Sequence, residues 1–275
     1  MSEFFQACKP ESATAYMLSD ACVSLVERFE SPIDIYYSRV EKLVIRAQKA
    51  EQDAEIELIP LLFLRLISAT ESYIRSLLSY MPVICPLVWR HCAKEVISLG
   101  AGFHYGKDSL PVAVIEHVSF CTKGEIQKQT QKVADLQVAS DGSLRAAVES
   151  FEAISQLRHS IVHSYDELFF NNIKELGMAD RTGTRYAVSI SPLVFQRFVS
   201  VCHSLVRAYN RTLLDRTLSK WIAESQLSFQ WGKDKAKIKP LFDLFYSERD
   251  EGSELNAYRA FLAVRRKNAA RAATV

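Results

Sequence analysis

The stretch Ser143–Tyr165, SLRAAVESFEAISQLRHSIVHSY, decides how this chain is read. Leu144, Ala147, Val148, Phe151, Ile154, Leu157 and Ile161 recur at steps of three and four, the spacing of one face of an α-helix. The helix ends in Arg158-His159-Ser160-Ile161-Val162-His163-Ser164-Tyr165. Following the stripe by threes and fours puts Arg158 between Ile154 and Ile161, where an apolar residue is expected. An arginine there must have a partner or face a cleft, because burying it alone is prohibitive. Arg158 and His163 lie about 140° apart around an ideal helix, so one ligand reaches both only if another element or another subunit completes a groove. The residue types suit phosphate chemistry: arginine holds a phosphate in its planar fork, and histidine moves a proton near neutral pH.

Outward from this segment the pattern stays helical. Glu11–Glu30 and Ile33–Lys49 read as amphipathic helices, the second opened by Ser31-Pro32. Pro60–Tyr80 is apolar nearly all round at its start, which places it in the middle of a bundle and ends it at Met81-Pro82. Cys85-Pro86 opens a shorter helix to Leu99, followed by a Gly100-Ala101-Gly102 loop, a short helix over Val112–Val118 and a polar helix over Glu125–Val138. Tyr186, Val188 and Ile190 alternate after Gly177 and Gly183, as in a small hairpin near 180–190. Ser191-Pro192 starts the last long helix. From Leu227 the composition changes: Lys233, Lys235, Lys237 and Lys239 alternate, and Arg265-Arg266-Lys267 follows. The expected architecture is all-α: an N-terminal helical extension (1–50), a central bundle (51–225) and a basic C-terminal helical appendage (226–275).

Composition narrows the class. The 275 residues are 48% hydrophobic and 24% charged, as in ordinary globular proteins, and nine glycines with eight prolines favour helices over strands and turns. A formal charge of +2 does not by itself signal nucleic-acid binding, so any basic surface must be local. The six cysteines (8, 22, 85, 92, 121 and 202) include no Cys-x-x-Cys pair, which argues for reduced thiols in a cytoplasmic protein. The N-terminus lacks the basic-then-apolar layout of a signal peptide, and no uncharged apolar run is long enough for a membrane span.

The motif resembles that of the HEPN superfamily: Arg, four to six residues, then His, with a polar residue directly after the Arg. Arg158, His159 and His163 match it, and Tyr165 extends it to Arg-x4-His-x-Tyr, the version found in the toxin half of HEPN–nucleotidyltransferase modules. The order of elements is similar too, with a central helix carrying Thr70-Glu71-Ser72-Tyr73, then the motif helix, then a closing helix. The likeness covers roughly residues 55–222; the chain is longer than the minimal toxins. It implies a metal-independent endoribonuclease without cofactor, a toxin or antiviral defence effector. His163 would be general acid or base, Arg158 would bind the phosphate, and His159 would orient His163 or hold the scissile phosphate. Glu71 would be the acidic partner of Arg158. The implied partners are RNA as substrate, a second copy joined through the motif helix, and an antitoxin or nucleotidyltransferase acting on Tyr165. The alternative is a non-catalytic HEPN-type module that binds RNA, nucleotide or protein.

Plainer readings stand beside these. His159 and His163 are half of a zinc site with no third ligand at suitable spacing. Arg158 with Glu71 is equally a structural ion pair, and Tyr165 packs on the stripe below Ile161. The lysines at 233–239 make a solvated face or grip an RNA backbone, with Trp221, Phe229 and Trp231 packing on the bundle or stacking on bases.

Overall fold

The computed structural model describes residues 17–24, 30–137, 142–178 and 183–272. Ten α-helices occupy these residues, with one two-stranded ladder, so the protein is all-α apart from that ladder. Met1–Glu30 and Ser31–Val275 form separate units. In the first, the helix expected over Glu11–Glu30 falls largely outside the described residues, and what is described is one 3-10 turn, Leu18–Ala21.

In the second unit α1 (Pro32–Gln52) begins at the Ser31-Pro32 start, proline supplying a φ that suits the first turn. It packs along α2 (Ile59–Ile84), burying Tyr36, Val40, Leu43 and Ala47. α1 is therefore part of the main core and not of a separate extension ending at residue 50. α2 is the central helix: Ile59, Phe63, Leu66, Ile67, Ile74, Leu77 and Leu78 are all fully buried. Each such side chain contributes roughly 1.5–3 kcal/mol of hydrophobic stabilisation. The helix runs past its expected end because Pro82 sits in the last turn, where its missing N–H costs a single ladder bond. It stops at Cys85, whose backbone is extended, as Pro86 requires of the residue before it.

α3 (Pro86–Cys92) is shorter than expected, and Gly100-Ala101-Gly102 is helical, inside α4 (Leu99–His104). The cause is local: Ser98 caps α4 by accepting from the N–H of Ala101 at 3.1 Å. The helix expected over Val112–Val118 is a 3-10 turn, Leu110–Val114. α5 (Lys123–Ala134) is capped by Thr122, which accepts from the N–H of Glu125, and ends on Asp135 in the left-handed region. α6 (Gly142–His163) carries the motif and packs on α8 (Pro192–Ala223), the long closing helix started by Ser191.

Between these two helices the chain makes a clasp. β1 (Glu167–Leu168) pairs antiparallel with β2 (Tyr186–Ala187), and α7 (Phe170–Glu175) lies between them. The hairpin expected within 180–190 is thus a long-range pairing: the second strand folds back on the loop that follows the motif. Val188 and Ile190 still alternate inward, which is the periodicity the sequence displays. Gly177 closes α7 at φ +69°, a conformation that glycine adopts without a Cβ penalty, and Met178 N–H reaches back to the Ile173 carbonyl at 2.9 Å.

α9 (Trp231–Phe245) and α10 (Glu254–Ala272) follow. α9 is no detached appendage: Ile238, Leu241, Leu244 and Phe245 are buried, and it packs on α1, α2 and α8. Because the segment is helical, the alternating lysines fall on its exposed side. Lys239 pairs with Asp243 and Glu254, and Lys237 donates to the Gln226 carbonyl. Trp221 is buried, its indole N–H donating to Cys85 Sγ at 3.0 Å, and Trp231 packs against Tyr258. These two rings are structural. The side chains of Arg265, Arg266 and Lys267 lie outside the described residues.

Candidate active site

α6 meets the bundle through Leu144, Val148 and Phe151, and its last two turns stay against the core through Leu157, Ser160 and Ile161 while their other side is exposed. The buried line passes from Phe151 to Ser155 and Ser160, so Arg158 lies on the rim and is exposed. This corrects the expectation that Arg158 interrupts a buried stripe: Ile154, Leu157 and Ile161 pack on the core from the side, and the guanidinium stays in water.

The expected Glu71–Arg158 ion pair is not formed. The buried Glu71 carboxylate faces the loop before α5, where its Oε1 accepts from Ser119 Oγ at 2.9 Å and from the N–H of Phe120 at 2.7 Å. Arg158 Nη1 instead lies 3.9 Å from Cys121 Sγ. Glu71 therefore acts one step away, by fixing the loop whose next residue touches Arg158. Burial pushes the Cys121 thiol upward in pKa and the Glu71 carboxylate adds to this, more than offsetting the Ser119 hydrogen bond and the Arg158 charge. The surroundings of Cys121 thus disfavour the thiolate, the form in which a cysteine acts as a nucleophile.

Arg158, His159 and His163 line one cleft of about 170 Å³ with Cys121, Thr122, Ser155, Gln156 and Val162. The second element demanded by the 140° separation is this Cys121–Thr122 loop, within the same chain. The rings of His159 and His163 lie 4.7 Å apart at 47°, one helical turn from each other. Both are exposed, as is Arg158. Ser155, one turn below Arg158, is buried, and its Oγ has no hydrogen-bond partner among the described residues. A ligand in the cleft would meet a guanidinium and two imidazoles, with the unpartnered Ser155 hydroxyl buried behind them. Among the described residues no group of three or more His, Cys, Asp or Glu side chains is placed to hold a metal ion.

Tyr165 is outside this cleft lining, and the expectation that it packs beneath Ile161 is overturned. It is 97% exposed because the backbone turns left-handed immediately after α6, at φ 48° for Tyr165 and 70° for Asp166. Asp166 N–H returns to the Ser160 carbonyl at 3.1 Å, closing the helix, and its own carbonyl accepts from Val188 at 2.8 Å, joining the clasp. The clasp thereby fixes the direction in which Tyr165 points. Val162, Phe169, Phe170 and Leu193, close in sequence to the motif or at the start of α8, are exposed large apolar residues.

The other histidine of interest behaves as the sequence suggests. His203 is a core-edge residue on α8 whose Nδ1 lies 3.0 Å from the Tyr36 hydroxyl. Burial lowers its pKa, and Arg207 and Arg249 add to the effect.

Gln156 shares with Glu152, His159 and His163 the polar face that the spacing displays, and Ser155 could have been found the same way, since it precedes Arg158 by three positions on the helix. Cys121 and Thr122 carry no such signal, because only the tertiary packing of α5 against α6 brings them there. No helix among the described residues is long and apolar enough to cross a membrane. Comparison with protein-family models, with curated proteins and with solved structures returns no match for this chain.

Proposed function

We propose that this protein is a metal-independent endoribonuclease of HEPN type. The observation that carries the reading is the convergence of Arg158, His159 and His163 on one exposed cleft of an all-α bundle. RNA brings its own nucleophile, so such a site needs only a cation for the phosphate and groups that move protons. The 2′-hydroxyl attacks the adjacent phosphorus and gives its proton to an imidazole acting as base. The P–O5′ bond breaks, and an acid returns a proton to O5′, leaving a 5′-hydroxyl and a 2′,3′-cyclic phosphate. His163 serves as one of these two groups, and Arg158 neutralises the charge that builds on the phosphorane. The His159 ring lies close enough, tilted against that of His163, to orient it or to share the phosphate.

A symmetric dimer through the end of α6 would set two such clefts together and supply both acid and base. The exposed Val162, Phe169, Phe170 and Leu193 support that arrangement, since side chains of this kind are commonly covered by a partner. The exposed Tyr165 phenol is accessible to a modifying nucleotidyltransferase, and a regulated toxin or antiviral defence effector of the cytoplasm is the biological role that fits. The test is cleavage of total RNA in EDTA by wild type, His163→Ala and Arg158→Ala. Cleavage by wild type alone is expected. An intact RNA pool that wild type nevertheless binds would favour the alternative, a non-catalytic binding module.

A further inference from the structure

An apolar recess of Ser31–Val275 with an unpaired cation at its rim is lined by a different set of residues from the motif cleft. It lies between α1, α8, α9 and α10 and has a volume of about 480 Å³, within the roughly 300–1,000 Å³ typical of small-molecule sites. Leu214, Leu218, Ile238, Leu241, Phe245 and Phe261 make its apolar walls.

The recess is built by identifiable bonds. Asp234 is buried and accepts from the N–H groups of Ser228 and Phe229, from Ser228 Oγ and from the Tyr258 hydroxyl at 2.6 Å. That last bond, with the Trp231–Tyr258 ring contact at 5.3 Å, anchors α10 to α9 and holds the outer wall in place. On the inner side Asn210 donates to the Phe245 carbonyl at 2.8 Å and accepts from the Tyr73 hydroxyl at 2.8 Å, tying α8 to α9 and α2.

The charges at the mouth are unequal in their commitments. Arg211 pairs with Asp215 at 3.7 Å. Arg249, outside the lining but over the ring of Tyr37, is occupied by Glu41 at 2.9 Å. Asp250 accepts from the N–H of Ser247. Arg207 lines the same recess and is exposed, and it makes no ion pair or hydrogen bond among the described residues. Among the described residues Asp250 at the same mouth makes no ion pair either, and Arg207 is the one uncommitted cation; with apolar walls behind it, that cation suits an apolar body ending in one anionic group.

We infer that this recess binds a small amphiphilic anion of acyl-carboxylate type, its chain among Leu214, Ile238 and Phe261 and its head on Arg207. The inference is independent of the ribonuclease reading, and neither outcome at one site decides the other.

The experiment is titration calorimetry of the full chain with decanoate, kept below its micelle concentration, and with decan-1-ol as a headless control. Two variants accompany it. Ala260→Trp places an indole over the recess from an exposed position on α10, and Arg207→Gln removes the head-group cation from an exposed position on α8. Saturable one-to-one binding of decanoate is expected, weakened about fivefold by Arg207→Gln, the scale of one exposed ion pair. Decanol affinity should not change in that variant, and Ala260→Trp should abolish binding of both. No saturable binding, or binding that Ala260→Trp leaves intact, overturns the site. Equal loss or no loss of the two ligands in Arg207→Gln overturns the anionic head. Sedimentation with phosphatidylglycerol vesicles without binding of free decanoate would move the chemistry to a membrane surface and contradict the inference.

Discussion

Arg158 Nη1 stands 3.9 Å from Cys121 Sγ, and Cys121 follows directly on the Ser119–Phe120 segment that Glu71 holds. The cleft is thus assembled from three parts: a carboxylate on α2, the loop it clamps before α5, and the exposed end of α6. Glu71 and Arg158 are connected through this loop and not through a shared ion pair. The distinction has measurable consequences.

Glu71→Ala removes the acceptor of two hydrogen bonds in a buried setting, one of them from a backbone N–H. Stability should fall by about 2–3 kcal/mol, the scale for bonds to a charged group whose donors are left unsatisfied. Arg158→Ala removes only an exposed side chain and should leave stability within about 0.5 kcal/mol of wild type. The charge swap Glu71→Arg with Arg158→Glu should not rescue folding, as it would for a direct pair. Chemical denaturation of the four proteins checks all three.

Ser155→Ala separates binding from folding. Because Ser155 Oγ has no partner, its deletion breaks no hydrogen bond, and stability should stay level or rise by up to about 1 kcal/mol. The oxygen is closed off beneath the cleft, so KM and kcat for RNA should stay near the wild-type values, and a severalfold rise in KM would show that RNA reaches it. Steady-state cleavage of a short RNA, alongside thermal melts, measures both.

Tyr165 sits at φ 48°, a region that costs a residue with a Cβ roughly 1 kcal/mol or more. Tyr165→Gly should therefore stabilise the fold by up to about 1 kcal/mol, whereas Tyr165→Phe should be neutral. A loss of stability in Tyr165→Gly would mean that the phenol packs against something and is not presented to solvent.

His203 gives the pH dependence. Its pKa is lowered in the folded protein by burial and by Arg207 and Arg249, so folding favours the neutral ring, whose Nδ1 can accept from Tyr36. The contribution is fully present above the unfolded value, near 6.5, and is lost as pH falls through the lower folded value. Melting temperature should drop between pH 7 and pH 5 in wild type, and the drop should be smaller in His203→Gln. Parallel pH profiles for the two proteins would contradict this.

Much of the fold is legible in the sequence because it rests on local chemistry. Ser31-Pro32, Cys85-Pro86 and Ser191-Pro192 each mark a helix start, and the apolar face of α2 identifies the central element. What escapes is tertiary. The alternation at Tyr186–Ile190 is visible in sequence, but its pairing with Glu167–Leu168 is not, because the partner strand is two residues long and follows a helix. Ser98 capping converts an expected glycine loop into a helix. Arg158, His159 and His163 are visible as a group, whereas the residues facing them, Cys121 and Thr122, come from a loop with no motif of its own. Glu71 misleads for the same reason: sequence order points it toward the motif, but the loop before α5 takes its carboxylate first.

The ends of the cleaved RNA report most directly on the chemistry of the cleft. Mass spectrometry of a defined oligonucleotide cut in EDTA should show 2′,3′-cyclic phosphate and 5′-hydroxyl termini, with no product when the 2′-hydroxyl at the cleavage site is methylated or when His163 is alanine. Termini bearing 5′-phosphate and 3′-hydroxyl, or cutting that survives 2′-O-methylation, would show that water and not the RNA supplies the nucleophile, and would contradict the roles proposed for Arg158 and His163.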